Sequence, residues 1–130
     1  MSDTPIDPVG DLYERLGEPT IRALVRAFYA GVPGDPVLGP MYPARDLAGA
    51  EARLADFLVM RFGGPATYME QRGHPRLRQR HAPYRVDAEA REHWVALMGA
   101  ALDAEVTDVE ARERAREFLA DVATFLRNAE

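Results

Sequence analysis

The 130-residue chain contains no cysteine and no lysine. Without cysteine there is no disulfide framework, no thiolate zinc or iron–sulfur site and no thiol nucleophile. This is compatible with a reducing cytoplasm, the expected location. A secretory leader is not expected either, since Asp3, Asp7, Asp11 and Glu14 stand where a basic stretch would precede an apolar run. No segment approaches the roughly 18 uninterrupted apolar residues of a membrane span. Alternating strand patterns are also missing. With 21 Ala, 12 Leu and only two Ile, the composition favours helices and the expected fold class is all-α. The net charge of −5 argues against a general nucleic-acid or anionic-membrane binder, because both need a basic face.

Arginine supplies all 16 basic side chains, each a planar fork suited to carboxylates. Five of them, Arg72, Arg76, Arg78, Arg80 and Arg85, fall between Gln71 and Val86, a window with no Asp or Glu. An acidic chain therefore carries one local basic patch.

At this length a compact fold buries roughly two-thirds of the surface that its unfolded chain exposes, so one core can form without staples. Residues 1–10, with Pro5, Pro8 and Gly10, read as a flexible N-terminal segment, and 11–130 as one domain. A short helix from Asp11 ends at Gly17. After Pro19, the positions Ile21, Leu24, Val25, Phe28, Tyr29 and Val32 recur at the spacing of one helix face. Pro33-Gly34-Asp35-Pro36 opens a corner that runs to Met41-Tyr42-Pro43. Asp46 is placed to cap a helix with the apolar line Leu47, Ala50, Leu54, Phe57, Leu58 and Phe62, ended by Gly63-Gly64-Pro65. Periodicity is poor from Pro65 to Pro83. Asp87 is an N-cap for a helix carrying Trp94, Leu97, Met98, Ala101 and Leu102. The last helix is expected from Thr107, with Glu110 completing a capping box and Val109, Ala115, Leu119, Val122 and Leu126 on the buried face.

The three histidines, His74, His81 and His93, lack the paired spacing of a protein-only metal site. His93 is next to Trp94, so it points about 100° away from it on the same helix, toward solvent. His74, between Gly73 and Pro75, reads as a loop residue. His81 closes the Arg-rich stretch just before Ala82-Pro83; it is read either as a surface histidine or as a functional one. Tyr29, Tyr42 and Trp94 each have a polar tip that needs a partner once buried. Ordinary core packing is the alternative reading for each. Together with a histidine and an arginine patch, three such donors describe a cavity for an anionic or oxygen-bearing ligand.

The stretch Gly73-His74-Pro75-Arg76-Leu77-Arg78-Gln79-Arg80-His81-Ala82-Pro83-Tyr84-Arg85 closely resembles the haem-ligand region of truncated haemoglobins of the second, O-type group. So do Arg26-Ala27-Phe28-Tyr29, Met41-Tyr42-Pro43, Asp46-Leu47-Ala48-Gly49-Ala50-Glu51 and Gly63-Gly64-Pro65, in the expected order. The resemblance runs from about Asp11 into the last helix. It implies a two-over-two helical sandwich around haem b, with His81 as the proximal iron ligand and a sixth position open to O2, CO or NO. It implies further that Tyr29, Tyr42 and Trp94 face that position, that Ala50 stands where many globins place a distal histidine, and that Leu54 lies one turn further in. Phe28, Phe57, Leu58, Leu77, Val86, Leu97 and Met98 would line the apolar slot. Arg80, Arg78 and Tyr68 would meet the propionates, Arg through its bidentate match to carboxylate.

Donors aimed at a bound diatomic slow its release and polarise it, which favours slow O2 release with redox, NO-detoxifying or peroxidase-like turnover over bulk delivery. No catalytic residue is assigned, and any reductase partner is unidentified. A gas-sensing or haem-carrying module without turnover is the alternative. A helical domain whose arginine patch binds phosphate or a protein partner is the reading without haem. A monomer and a small homo-oligomer are both compatible with the sequence.

Overall fold

The computed structural model describes residues 7–42, 44–65 and 86–129. Their regular structure is entirely helical. The order is α1 (Leu12–Leu16), α2 (Glu18–Gly31), two 3-10 turns (Gly39–Met41 and Ala44–Asp46), α3 (Leu47–Arg61), α4 (Ala88–Glu105) and α5 (Val109–Leu126). α2 packs against both α3 and α4, α5 packs against α4, and α1 bridges α2 and α5. Two long helices thus lie over two others. No helix among the described residues is long and apolar enough to cross a membrane.

The stripe of α2 forms as its spacing predicts, with Ile21, Leu24, Val25 and Phe28 fully buried and Tyr29 nearly so. Leu58 and Phe62 from α3 and its C-cap, Met98 and Leu102 from α4, and Ala115 and Leu119 from α5 join the same core. Among the described residues no charged or polar side chain is buried. α2 and α4 come close where a Cβ on Gly31 would lie 2.6 Å from Leu97 Cδ1. Residues 7–10 pack onto the helices: Val9 is fully buried, and Asp7 pairs with Arg61 at 2.9 Å. Gly63, at φ +99°, lets the chain leave α3 against this segment; a Cβ there would lie 2.1 Å from the Gly10 carbonyl oxygen.

Asp occupies the N-cap of α1, α3, α4 and α5, and the four do not behave alike. Asp87 accepts from the Ala90 amide at 2.9 Å and Asp108 from the Ala111 amide at 3.0 Å, both as capping carboxylates. Asp46 makes no capping bond, contrary to expectation, because Arg53 draws its carboxylate away at 2.6 Å. Asp11 is likewise held by Arg114 at 2.8 Å.

The start of α5 also differs from expectation. Its cap is Asp108 rather than Thr107, and Glu110 turns to Arg15 at 3.0 Å instead of completing a box. The frame shifts with it: Val109 is 60% exposed, and the buried line runs Ala111, Ala115, Leu119, Ala123.

Candidate functional site: an aromatic chain between α2, the corner and α4

Four aromatic side chains from three parts of the chain touch in sequence. Tyr42 leaves the 3-10 corner and meets Tyr29 of α2 edge-on, ring centroids 5.6 Å apart at 84°. Tyr29 meets Phe28 at 4.9 Å and 83°, and Phe28 meets Trp94 of α4 at 5.5 Å. Edge-to-face contacts set the positive rim of one ring against the negative face of the next, which fixes relative orientation as well as burying area. Phe28, fully buried, is the hub that ties the phenols of one side to the indole of the other.

Burial pushes the Tyr29 phenol far above its ordinary range, and the neighbouring Tyr42 phenol adds to the rise. Tyr29 therefore keeps its O–H proton at any working pH and remains a potential donor. Tyr42 and Trp94 are half-buried and line one small apolar cavity of about 40 Å³ with Leu38, Met41, Val86, Ala90 and Leu126.

The structure brings together most of the expected distal and apolar residues that it describes. Tyr29, Phe57, Leu58 and Met98 belong to the core, and Tyr42, Ala50, Leu54, Trp94 and Leu97 pack against it. Val86 joins Tyr42 and Trp94 at the cavity. The expected iron ligand His81, together with Tyr68, His74, Leu77, Arg78 and Arg80, lies outside the described residues.

His93 departs from expectation. Instead of facing solvent alone, its Nδ1 lies 3.1 Å from both carboxylate oxygens of Asp35, 58 positions earlier in the chain. Asp35 Oδ1 also accepts from the amides of Val37 at 2.9 Å and Leu38 at 2.8 Å. Sequence spacing could not pair residues so far apart. The local sign was a turn aspartate between prolines, whose role in backbone capping is common but whose second partner is not encoded nearby.

Residues 11–128 match the bacterial-like globin family. The group 2 truncated hemoglobin YjbI of Bacillus subtilis (strain 168) is 38% identical over 101 residues, covering 78% of this chain and 76% of that protein. The chain belongs to the bacterial-like globin family. Among solved globins, the thermostable hemoglobin of the actinobacterium Thermobifida fusca superposes with a TM-score of 0.86 at 48% identity, over 91% of this chain and 97% of the other. The truncated oxygen-avid haemoglobin of B. subtilis gives 0.85 at 35% identity, over 91% and 99%. The fold is therefore the two-over-two helical sandwich of truncated globins. A globin of this family is a haem protein, and its function is haem-based oxygen binding.

The described residues fit such a group. A porphyrin presents two apolar faces, and the core around Leu58 and Met98 supplies apolar surface with no buried charge to desolvate. The donors near it are phenols and an indole, which stabilise partial negative charge on a small ligand without adding a full charge of their own.

Proposed function

We propose that the chain is a haem b protein in which His81 holds the iron and Tyr29, Tyr42 and Trp94 surround a diatomic ligand, retaining O2 for slow release and binding CO and NO at the same place. Haem, when bound, supplies an iron with one coordination position open to such a ligand. The aromatic chain is the observation that carries the reading. It brings a phenol whose proton is locked on by burial, a second phenol and an indole N–H to one wall.

Each donor has a separate part. Trp94 can only donate, so its N–H suits an outer oxygen that carries partial negative charge. Tyr29 donates from the buried side, while Tyr42 orients it through the edge-on contact. Leu54 and Ala50 keep the wall apolar at the turn of α3 that faces this core, which excludes competing water. Arg78, Arg80 and Tyr68 would hold the propionates, and an unidentified reductase would supply electrons if the bound O2 turns over with NO.

The test is stopped-flow displacement of O2 by CO in the wild type and in Trp94→Phe. Phenylalanine keeps an aromatic body and deletes the donor. A hydrogen bond to a charged partner contributes roughly 1.5 to 3 kcal/mol, and about 1.4 kcal/mol is tenfold. The O2 off-rate should rise about ten- to a hundredfold, and CO, with less charge on its outer atom, should respond less. An unchanged O2 off-rate would make Trp94 a packing residue.

A further inference from the structure

The contact between His93 and Asp35 has no place in the distal site as described, and it joins two parts that the site needs in register. Asp35 organises the corner after α2. Its amide donates to the Val32 carbonyl at 3.0 Å, its carbonyl accepts from the Gly39 amide at 2.8 Å, and its carboxylate accepts from Val37 and Leu38. The turn that follows, Gly39–Met41, delivers Tyr42. His93 precedes Trp94 on α4. One polar contact thus links the corner bearing Tyr42 to the helix bearing Trp94, and both aromatics line the same cavity.

We infer that Asp35 and His93 form a clasp that positions Tyr42 and Trp94 relative to each other, making both positioning residues for the ligand-binding wall. The carboxylate is well suited to this. Two backbone amides already hold it, so only the imidazole must be ordered to make the contact, and its side chain is 13% exposed against 35% for His93. Nδ1 sits equidistant from both oxygens, a geometry in which N–H donation survives small rotations of either group. The packing nearby gives the clasp leverage. Leu38, held by Asp35, and Ala90, one turn before Trp94, both line the cavity, and Phe28 touches both the indole and Tyr29. Loss of the clasp leaves both donors in place and loosens the distance between them.

The inference rests on the distal roles proposed above for the oxygen kinetics, and the experiment separates the two. Trp94 is the only tryptophan of the chain, so an ultraviolet resonance Raman spectrum of the haem-loaded protein reports one indole and its N–H hydrogen bonding. His93→Ala keeps a good helix former and removes the donor. His93→Asn places an amide nitrogen near the position of Nδ1. The Trp94 indole bands should shift or broaden in His93→Ala and return toward wild type in His93→Asn. The O2 off-rate should rise about two- to tenfold in the first and recover in the second, the scale at which residues touching neither ligand alter binding. Wild-type indole bands in His93→Ala, or equal shifts in both variants, would overturn the clasp. A response of the indole to His93→Ala, with an O2 off-rate indifferent to Trp94→Phe, would keep the clasp and remove the donor role of Trp94 instead.

Discussion

The wall between α2, the corner and α4 differs from the face that α5 shares with α1 and with the C-terminal end of α4, and the difference shows how one composition serves two ends. On the wall, rings touch rings and the polar groups those rings carry are neutral phenols and an indole. On the other face arginine touches carboxylate repeatedly. Arg15 pairs with Asp108 and Glu110, Arg114 with Asp11 and Glu110, and Arg116 with Asp103 and Glu113. The arginine-only basic set, which on sequence grounds suited an external carboxylate, spends these members on the chain's own acids. Geometry on the wall is held mainly by ring packing that salt does not touch, with the single Asp35–His93 contact at its edge. On the other face it is fixed by pairs that water and salt weaken.

The sharpest way to break that contrast is to empty the hub. Phe28→Ala removes a fully buried ring that contacts both Tyr29 and Trp94, and should cost about 3 to 5 kcal/mol of stability together with much faster O2 release. Chemical denaturation and stopped-flow measure the two effects on one preparation. Retention of wild-type release in a folded Phe28→Ala protein would show that the rings do not position each other.

A smaller effect separates the two kinds of N-cap aspartate. Asp87→Ala removes a true cap and should cost roughly 1 kcal/mol. Asp46→Ala removes only a partner of Arg53 and should cost less than half as much in denaturant titration. Equal losses would place Asp46 back in the capping role.

On the charged face, Arg116→Ala should change stability by less than about 1 kcal/mol, and the difference should shrink in high salt. This face, the corner and the segment before α1 respond to acid. The Val9 amide holds the Asp7 carboxyl below its ordinary value, Arg114 does so for Asp11, the Leu38 amide for Asp35 and the Ala111 amide for Asp108. Each is favoured ionised in the folded state, so its contribution is complete above the unfolded value of 3.8 and is lost as pH falls through the lower folded value. Thermal midpoints should therefore be flat with respect to these groups between about pH 5 and 7, where their contribution is complete, and decline below about pH 4. A midpoint that rises on acidification below that point would reverse the sign.

Much of this was legible in the residues themselves. The stripe of α2 needed only the helical period, and the corner at Pro33-Gly34-Asp35-Pro36 needed only residues that cannot continue a helix. The polar tips of Tyr29, Tyr42 and Trp94 mark them as side chains that need partners, and the structure joins their rings through Phe28. What escaped was settled by partners distant in sequence. Thr107 and Glu110 spell a capping box, yet Arg15, 95 positions before Glu110, takes the glutamate and leaves the cap to Asp108. Asp46 has the identity and place of a cap, but Arg53 competes for it. His93 looked solvent-facing from its angle to Trp94, and only the folded corner supplies Asp35. Local patterns identify which groups want a partner; the tertiary fold decides which partner they get.

The claim that joins these parts is that the aromatic wall faces a haem held by His81. The direct measurement is the absorption spectrum of the reduced, CO-saturated protein after haem loading and gel filtration, for the wild type, His81→Ala, His74→Ala and His93→Ala. A Soret band at one haem per chain is expected in the wild type and in the His74 and His93 variants, and loss of haem or a shifted, weakened band in His81→Ala. An unchanged Soret band and CO affinity in His81→Ala would contradict it.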